Sequence, residues 1–336
     1  MSRGMGFQAL LESFFLSWLI AGRDVSRRTV ESYRDTFVIL LRWFDKERSL
    51  RPDSLTMDDL TMDNIEAFLI HLDKCRANAP KTVNCRLAAI RSFCRYVSYK
   101  DPLRLEEMRK ILSIPQRRES RPELSYLEAE EIGWLIDACD KTKAQGRETR
   151  LLIKLLYNSG ARISEIITLK ASDVVFEDRG SCKISIIGKG RKERTLPLWS
   201  ETSRAIKTHL EEHGIAGNNH LFSGRNVEHL TRSGARSRIK EALRQASAKH
   251  PSLARKNITP HSFRHSTAMA MLAAGIDIAT IAIWLGHEGI QTTHRYMIAN
   301  MKLKEEAIQK VHPGWGEMTK GRYKADPQTI AFLMSL

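Results

Sequence analysis

Apolar residues recur at intervals of three and four through most of the first hundred residues, which is the spacing of amphipathic helices. The pattern predicts a first helix over FQALLESFFLSWLIAG, residues 7–22. Ser26 is a suitable N-cap for a second helix, RRTVESYRDTFVILLRWFDKE, a third begins near Asp63, and a fourth follows Pro80. These segments together predict a small helical bundle.

The pattern changes twice after residue 123. Helical spacing follows a predicted capping box of Ser125 and Glu128, continues to about Leu156, and resumes at ARISEIITLK. Two short β-prone runs, CKISIIG and RTLPL, then flank a glycine-containing turn, which predicts a β-hairpin. A helical and basic stretch covers about 200 to 258. The expected fold class is mainly α with a small antiparallel β-sheet, in two domains.

Three consecutive short helices are predicted in the next segment. Thr259 and the proline after it are typical of a helix start, and this helix runs to Gly275. Asp277 can cap a second helix, IATIAIWL, which stops at Gly286. Hydroxyl side chains predict a third helix from about Thr292.

The stretch from 101 to 122 separates the two helical regions. Pro102, Pro115 and Pro122 bracket a basic run, QRRESR, that lacks apolar periodicity. This composition predicts an extended, solvent-accessible linker.

Charge points to a polyanionic partner. The 336 residues include 54 Lys and Arg against 39 Asp and Glu, a formal net charge of +15. Such an excess is typical of nucleic-acid binding, although a solvated helix face explains the same residues. The candidate DNA-contacting side chains are Arg27, Arg28, Lys81, Arg86, Arg91, Arg117, Arg118, Arg191, Lys192 and Arg236.

Neither a membrane span nor a metal site is expected. No apolar run reaches about 18 residues, and the N-terminal segment has helical periodicity rather than the pattern of a signal peptide. The five cysteines are scattered without metal-ligand spacing, so we expect reduced thiols in a cytoplasmic protein.

The segment from 259 to 296 also carries the candidate chemistry. His261 and Arg264 share one helix face, and His287 and Tyr296 follow the second helix. Each residue alone has an ordinary structural interpretation as a cap, an ion-pair partner or a packed ring. Arg162, in a first helical turn, and Lys189, at the hairpin tip, are equally ordinary when considered singly.

Taken together, the residues resemble the tyrosine recombinase family, also called phage-type integrases. The resemblance rests on SGARISEI, IIGKGRKERTLPL, TPHSFRHSTAM and WLGHEGIQTTHRYM, in this order and at this approximate spacing. It is strong over residues 122–312, whereas the N-terminal helices resemble the family in length, helicity and charge. The family's catalytic set falls on Arg162, Lys189, His261, Arg264, His287 and the nucleophile Tyr296.

The resemblance implies a mechanism. Two arginines would stabilise the charge that gathers on a phosphodiester under attack, and Tyr296 would form a covalent 3′-phosphotyrosyl bond. Imidazoles at His261 and His287 would share protons, and Lys189 would protonate the departing 5′-oxygen. Because the covalent link conserves the bond energy, neither a cofactor nor a metal is expected.

The resemblance also implies an organisation and partners. Residues 1–100 would be a core-binding DNA-binding domain, 101–122 a basic linker, 123–312 the catalytic domain, and 313–336 a tail that docks on a neighbouring protomer. The partners would be double-stranded DNA with specific recombination sites and further protomers or related recombinases, two on each site and four in a synapse. The expected function is a site-specific recombinase of a mobile element.

Three other functions remain open at this stage. A type IB topoisomerase-like enzyme would relax DNA without exchanging partners, and a regulator of the same fold would bind DNA without cleaving it. A basic helical RNA-binding protein would require the motif agreement to be accidental.

Overall fold

The computed structural model describes residues 6–119, 124–177, 180–188, 193–224, 227–287, 293 and 296. The chain divides into two compact units, Met1–Pro122 and Glu123–Leu336. No helix in the described ranges is both long and apolar enough to cross a membrane.

The N-terminal unit is helical, and its second, third and fourth helices begin close to their predicted starts. Its α-helices are α1, Phe7–Ser13; α2, Arg27–Arg48; α3, Met62–Lys74; α4, Pro80–Lys100; and α5, Leu105–Ser113. Ser26 accepts a hydrogen bond from the Thr29 amide, as expected of an N-cap. The predicted first helix is present, but its second half, Phe14–Gly22, is π-helical. Aromatic rings of Phe14, Phe37 and Phe93 pack edge to face in the core.

Helix α5 corrects the prediction of a linker over 101–122. The prediction is wrong for Leu105–Ser113, where Met108 and Ile111 are buried in the core of the N-terminal unit. The apolar residues of this segment do have helical spacing over two turns. The flanking prolines nevertheless favoured the prediction of a linker. The main chain after α5 is also fixed, because the side-chain amide of Asn84 donates to the Arg117 carbonyl at 2.9 Å.

The second unit combines helices with a small sheet. Its helices are α6, Ala129–Ala138; α7, Ala144–Ser159; α8, Ile163–Ile166; α9, Ser200–His213; α10, Arg232–Lys249; α11, Pro260–Ala273; and α12, Ile278–Leu285. Strands β1, Val174–Phe176, β2, Cys182–Ile187, and β3, Glu193–Leu198, form an antiparallel sheet in the order β1-β2-β3 within the described residues. The hairpin of β2 and β3 and the mainly α fold class are confirmed, whereas β1 was not predicted.

The start of the second unit differs from its predicted cap. Helix α6 is capped by Glu128 and Glu131, not by Ser125 and Glu128. The Leu127 amide donates to the Ser266 hydroxyl at 2.8 Å, which holds the chain against α11 and delays the helix.

Helix α7 ends in a turn that faces α11 and α12. Gly160 has a left-handed φ of +60°, and a Cβ there would lie 2.6 Å from Leu285 Cδ2 and 3.2 Å from Thr267 Cβ. Only glycine fits both the backbone angle and the available space. The indole of Trp284 donates to the Ser159 carbonyl at 3.1 Å, so α12 is attached to the same turn.

Candidate active site

Helix α11 carries the central part of the site. It begins where predicted, with Thr259 as N-cap, and the Thr259 amide donates to the Ser262 hydroxyl at 3.1 Å. His261 is exposed at the first turn, whereas Arg264 is buried one turn later. The helix is fixed to α7, since the Thr267 hydroxyl donates to the Tyr157 carbonyl at 2.6 Å.

Arg264 is the most buried of the candidate catalytic side chains in the described residues. It is 1% exposed, and its Nη1 donates to the Gly160 carbonyl at 3.0 Å. Burial lowers the pKa of Arg264 to about 10, and repulsion from Arg162 adds to this effect. The guanidinium therefore stays charged near neutral pH while little water surrounds it.

Arg162 is positioned by an acidic residue on its own short helix. Glu165 accepts from the Arg162 amide at 2.8 Å and from its Nη1 at 2.9 Å, and it is 8% exposed. Arg194 Nη2 donates at 2.7 Å to Oε2 of Glu165, the oxygen that also accepts from the Arg162 amide. Burial alone would raise the pKa of Glu165, but the hydrogen bonds from Arg194 and Arg162 outweigh it and hold that pKa below its ordinary value.

The sequence reasoning missed Arg194 as a site residue. It pairs with Ile186 across the sheet and lies on the same face of β3 as the buried Leu196 and Leu198. A charged residue at an inward register position was the available signal, because such a residue needs a buried partner. Gly286 lies against this side chain, and a Cβ there would be 3.0 Å from Arg194 Nη1.

Helix α12 and its end position His287. Asp277 caps the helix by accepting from the Thr280 amide at 2.9 Å, and Gly286 ends it at a φ of +66°, both as predicted. The His287 amide then donates to the Ala282 carbonyl at 2.9 Å. The imidazole Nδ1 of His287 and the Thr293 hydroxyl lie 2.8 Å apart.

The phenol of Tyr296 lies among imidazoles. It is 3% exposed, and its hydroxyl is 3.0 Å from Nδ1 of His265. The rings of His287 and Tyr296 are nearly parallel, with centroids 6.5 Å apart. His265, which the sequence reasoning did not select, follows His261 by one turn, and their ring centroids are 4.5 Å apart. The i, i+4 spacing was the signal that could have identified it.

Some of the predicted residues lie outside the described ranges. These are Lys189, Arg191 and Lys192, which belong to the predicted hairpin turn. Most of the third predicted helix also lies outside them; Thr293 and Tyr296 are described, and both are helical.

The candidate DNA-contacting residues fall into two groups. Arg86 donates to the Ser32 carbonyl at 3.1 Å, and Arg91 donates to the Ile114 carbonyl, so both bond to the main chain of their own unit. The exposed members are Arg27, Arg28, Lys81, Arg117, Arg118 and Arg236. Arg27 also pairs with Glu31 at 3.2 Å, in an exposed i, i+4 contact that contributes little.

The site offers permanently charged donors next to a phenol. Arg264 bonds to the Gly160 carbonyl, two residues before Arg162, and the adjacent His265 contacts the Tyr296 hydroxyl, so these groups lie in one region of the unit. Fixed guanidinium groups of this kind stabilise developing negative charge on phosphate oxygens. Among the described residues, no group of three or more His, Cys, Asp and Glu side chains is arranged to hold a metal ion.

Comparisons with known proteins match both parts of the chain to one family. Residues 125–302 match the Phage integrase family, and residues 10–102 match the Phage integrase N-terminal SAM-like domain. The y4rC protein of Sinorhizobium fredii strain NGR234, whose name includes integrase/recombinase, is 35% identical over 100% of both chains. Tyrosine recombinase XerD of Listeria innocua is 27% identical, over 89% of this chain and 97% of its own.

A solved structure shares the fold. The crystal structure of the XerH site-specific recombinase bound to its difH substrate, a pre-cleavage complex, superposes with a TM-score of 0.65. The identity is 22%, over 88% of this chain and 83% of that one. The two-domain architecture expected from the sequence is thus that of a known recombinase.

Proposed function

This chain belongs to the phage integrase family of tyrosine recombinases, and we propose that the residues around Arg264 make it a site-specific DNA recombinase acting through Tyr296. The observation that carries the assignment of the site is the buried Arg264, 1% exposed, with Arg162 and the Tyr296 phenol close to it. Glu165 offsets part of the repulsion between these cations, and a bound anion would stabilise the buried guanidinium further. A scissile phosphate is the anion that this chemistry would accept.

In the proposed reaction, Arg162 and Arg264 donate hydrogen bonds to the non-bridging oxygens of the phosphate. The phenolic oxygen of Tyr296 bonds to phosphorus as the bond to the 5′-oxygen breaks. The phenol loses its proton to an imidazole of the site, and the leaving 5′-oxygen takes a proton from Lys189. A 5′-hydroxyl of another strand then attacks the phosphotyrosine, which reverses these steps and reseals the DNA.

Arg162 is suited to this role because it is already oriented. Glu165 accepts from its Nη1 and its amide, and Arg194 donates to the same carboxylate. The guanidinium needs little reorganisation when the phosphate arrives, which is the condition for strong electrostatic catalysis.

The remaining assignments complete the proposal. The N-terminal helices would bind DNA with exposed cations, and the segment 123–312 would be catalytic, with 313–336 contacting a neighbouring protomer. We assign double-stranded DNA that carries a specific site as the substrate. Two protomers would bind each site, and four would join two sites in a synapse. Related recombinases could take the place of some of these protomers. The protein would act in the cytoplasm on a mobile element. The names of the relatives favour this function over DNA relaxation, RNA binding and a silent regulator.

Nicked duplexes from the flanks of the gene provide the test. The wild type should form a denaturation-resistant protein–DNA adduct, and Tyr296→Phe should bind the same duplex without forming one. Binding without an adduct in the wild type would refute the cleavage activity. An adduct in Tyr296→Phe would place the nucleophile at another residue.

A further inference from the structure

His265 is absent from the predicted catalytic set, yet it contacts the hydroxyl of the proposed nucleophile. Its Nδ1 is 3.0 Å from the Tyr296 hydroxyl, at normal hydrogen-bond distance, and the two ring centroids are 5.5 Å apart at an angle of 60°. The contact joins residues 31 positions apart, so helix geometry does not impose it. The oxygen involved is the one that would attack phosphorus.

The main chain beneath His265 is held on both sides. Arg264 donates to the Gly160 carbonyl, the Ser266 hydroxyl accepts from the Leu127 amide, and the Thr267 hydroxyl donates to the Tyr157 carbonyl. Three residues within two positions of His265 are therefore attached to two other parts of the unit, the end of α7 and the segment before α6. Because this stretch of α11 is fixed, the His265 imidazole can hold a partner side chain in one position.

Resting on the proposed function, we propose that His265 is a positioning residue that orients the Tyr296 nucleophile through Nδ1. The phenol O–H donates to the Nδ1 lone pair, which corresponds to the imidazole tautomer protonated at Nε2. The bond fixes the direction of the phenolic oxygen relative to the arginines, whose own positions are set by Gly160 and Glu165. A displacement of about 1 Å at a reacting atom costs roughly 100-fold in rate.

This role differs from those of the predicted histidines. His261 is exposed at the helix start. His287 stacks in parallel beside the Tyr296 ring, and its Nδ1 lies by the Thr293 hydroxyl. His265 instead contacts the end of the phenol, so its loss should change the orientation of the nucleophile.

Two amide substitutions distinguish the ring nitrogens. In His265→Asn the side-chain amide oxygen can take the place of Nδ1, because each of these atoms is bonded directly to Cγ. In His265→Gln the amide group lies one bond further out and takes the place of Nε2 instead. Single-turnover adduct formation on a nicked duplex at saturating protein should fall about 100-fold in His265→Ala and His265→Gln. His265→Asn should stay within about tenfold of the wild type, and all three should bind the duplex like the wild type.

A sulfur-substituted duplex separates positioning from protonation of the leaving group. With sulfur in place of the scissile 5′-oxygen, departure no longer requires a general acid. His265→Ala should remain slow on this duplex, because its attacking oxygen is still misplaced, whereas Lys189→Ala should recover most of its rate.

A thermal unfolding cycle tests the contact without catalysis. His265→Ala should lower the Tm of the wild type more than it lowers the Tm of Tyr296→Phe, which has already lost the hydroxyl. Equal decreases in the two backgrounds would show that the hydrogen bond does not couple the residues.

The outcomes separate this proposal from the proposed function. A wild type that binds the duplex and forms no adduct refutes the recombinase function itself. A wild type that cleaves while His265→Ala cleaves as fast or faster refutes only the positioning role. Equal decreases in the rate of adduct formation in His265→Asn and His265→Gln would show that the contact at Nδ1 does not orient the nucleophile.

Discussion

The cations proposed to bind the scissile phosphate, in the second unit, and several of those proposed to follow the DNA backbone, in the first, differ in burial. In the second unit Arg264 is 1% exposed, and Arg162 and Arg194 share Glu165, each at a defined distance. In the first unit Arg28 and Lys81 are exposed to solvent. A buried cation with fixed partners is suited to bind one phosphate, whereas an exposed cation is suited to follow a DNA backbone. The size of a mutational effect should therefore follow burial.

The largest effect is expected at the buried arginine. Arg264→Lys should lower single-turnover cleavage about 1,000-fold, since an ammonium cannot replace a planar pair of donors aimed at the phosphate. DNA affinity should change only a few-fold. Arg204→Lys, on the exposed side of α9, is the matched control and should cleave like the wild type. Similar cleavage by the two variants would break the link between burial and function.

The next effect is expected at the carboxylate between two arginines. Glu165→Gln should lower cleavage roughly 100-fold by releasing Arg162 from its position. It should also lower the Tm near neutral pH, because the buried charge partner is lost. Loss of cleavage with an unchanged orientation of Arg162 in a crystal structure of the variant would contradict this explanation.

The pH dependence of that Tm difference sharpens the test. The pKa of Glu165 is lower in the folded state than its ordinary value of 4.5. The carboxylate therefore contributes its full stabilisation above pH 4.5 and loses it as the pH falls through the folded-state pKa. The Tm difference between wild type and Glu165→Gln should be constant above pH 4.5 and shrink below it. A Tm difference between the two proteins that grows as the pH falls would contradict this explanation.

A smaller effect is expected at the turn that holds Arg264. Gly160 and Gly214 share a φ of +60°, but only Gly160 has close neighbours for an added Cβ. Gly214→Ala should cost about 1 kcal/mol of unfolding free energy from the backbone angle. Gly160→Ala should cost about 3 kcal/mol, because overpacking against Leu285 adds to it. Equal costs in urea unfolding would show that the space around Gly160 adapts.

The smallest effects are expected in the first unit. Arg28→Ala and Lys81→Ala should each weaken binding uniformly across DNA sequences and reduce the salt slope by about 1. Cleavage at saturating DNA should be unchanged. Arg86→Ala should instead lower the Tm of the unit, since Arg86 bonds to Ser32 and Thr36. A large cleavage defect in Arg28→Ala would erase the contrast between the units.

The sequence predicted best what is local. The caps at Ser26 and Asp277 each accept an amide three residues away, so a few letters specify them. The short helix α5 was missed because its two apolar turns lie between prolines. The cap of α6 was misplaced because Ser266, 139 residues away from Leu127, binds the chain before it.

The sequence selected candidate site residues, but it did not predict the contacts between them. The motif resemblance selected Arg162, Arg264 and Tyr296, and the structure brings these three together. It did not select Arg194, whose role depends on the register of β3 against β2, or His265, whose contact depends on how a later helix folds back. Contacts of this kind are set by tertiary packing, which spacing along one chain does not encode.

The most direct test of the account is to identify the residue that carries the DNA. The wild-type adduct on a nicked duplex would be digested with a protease, and the DNA-linked peptide would be identified by mass spectrometry. The account predicts a single modified peptide with the nucleotide attached to Tyr296. Attachment at Tyr157, Tyr323 or any other residue would contradict it.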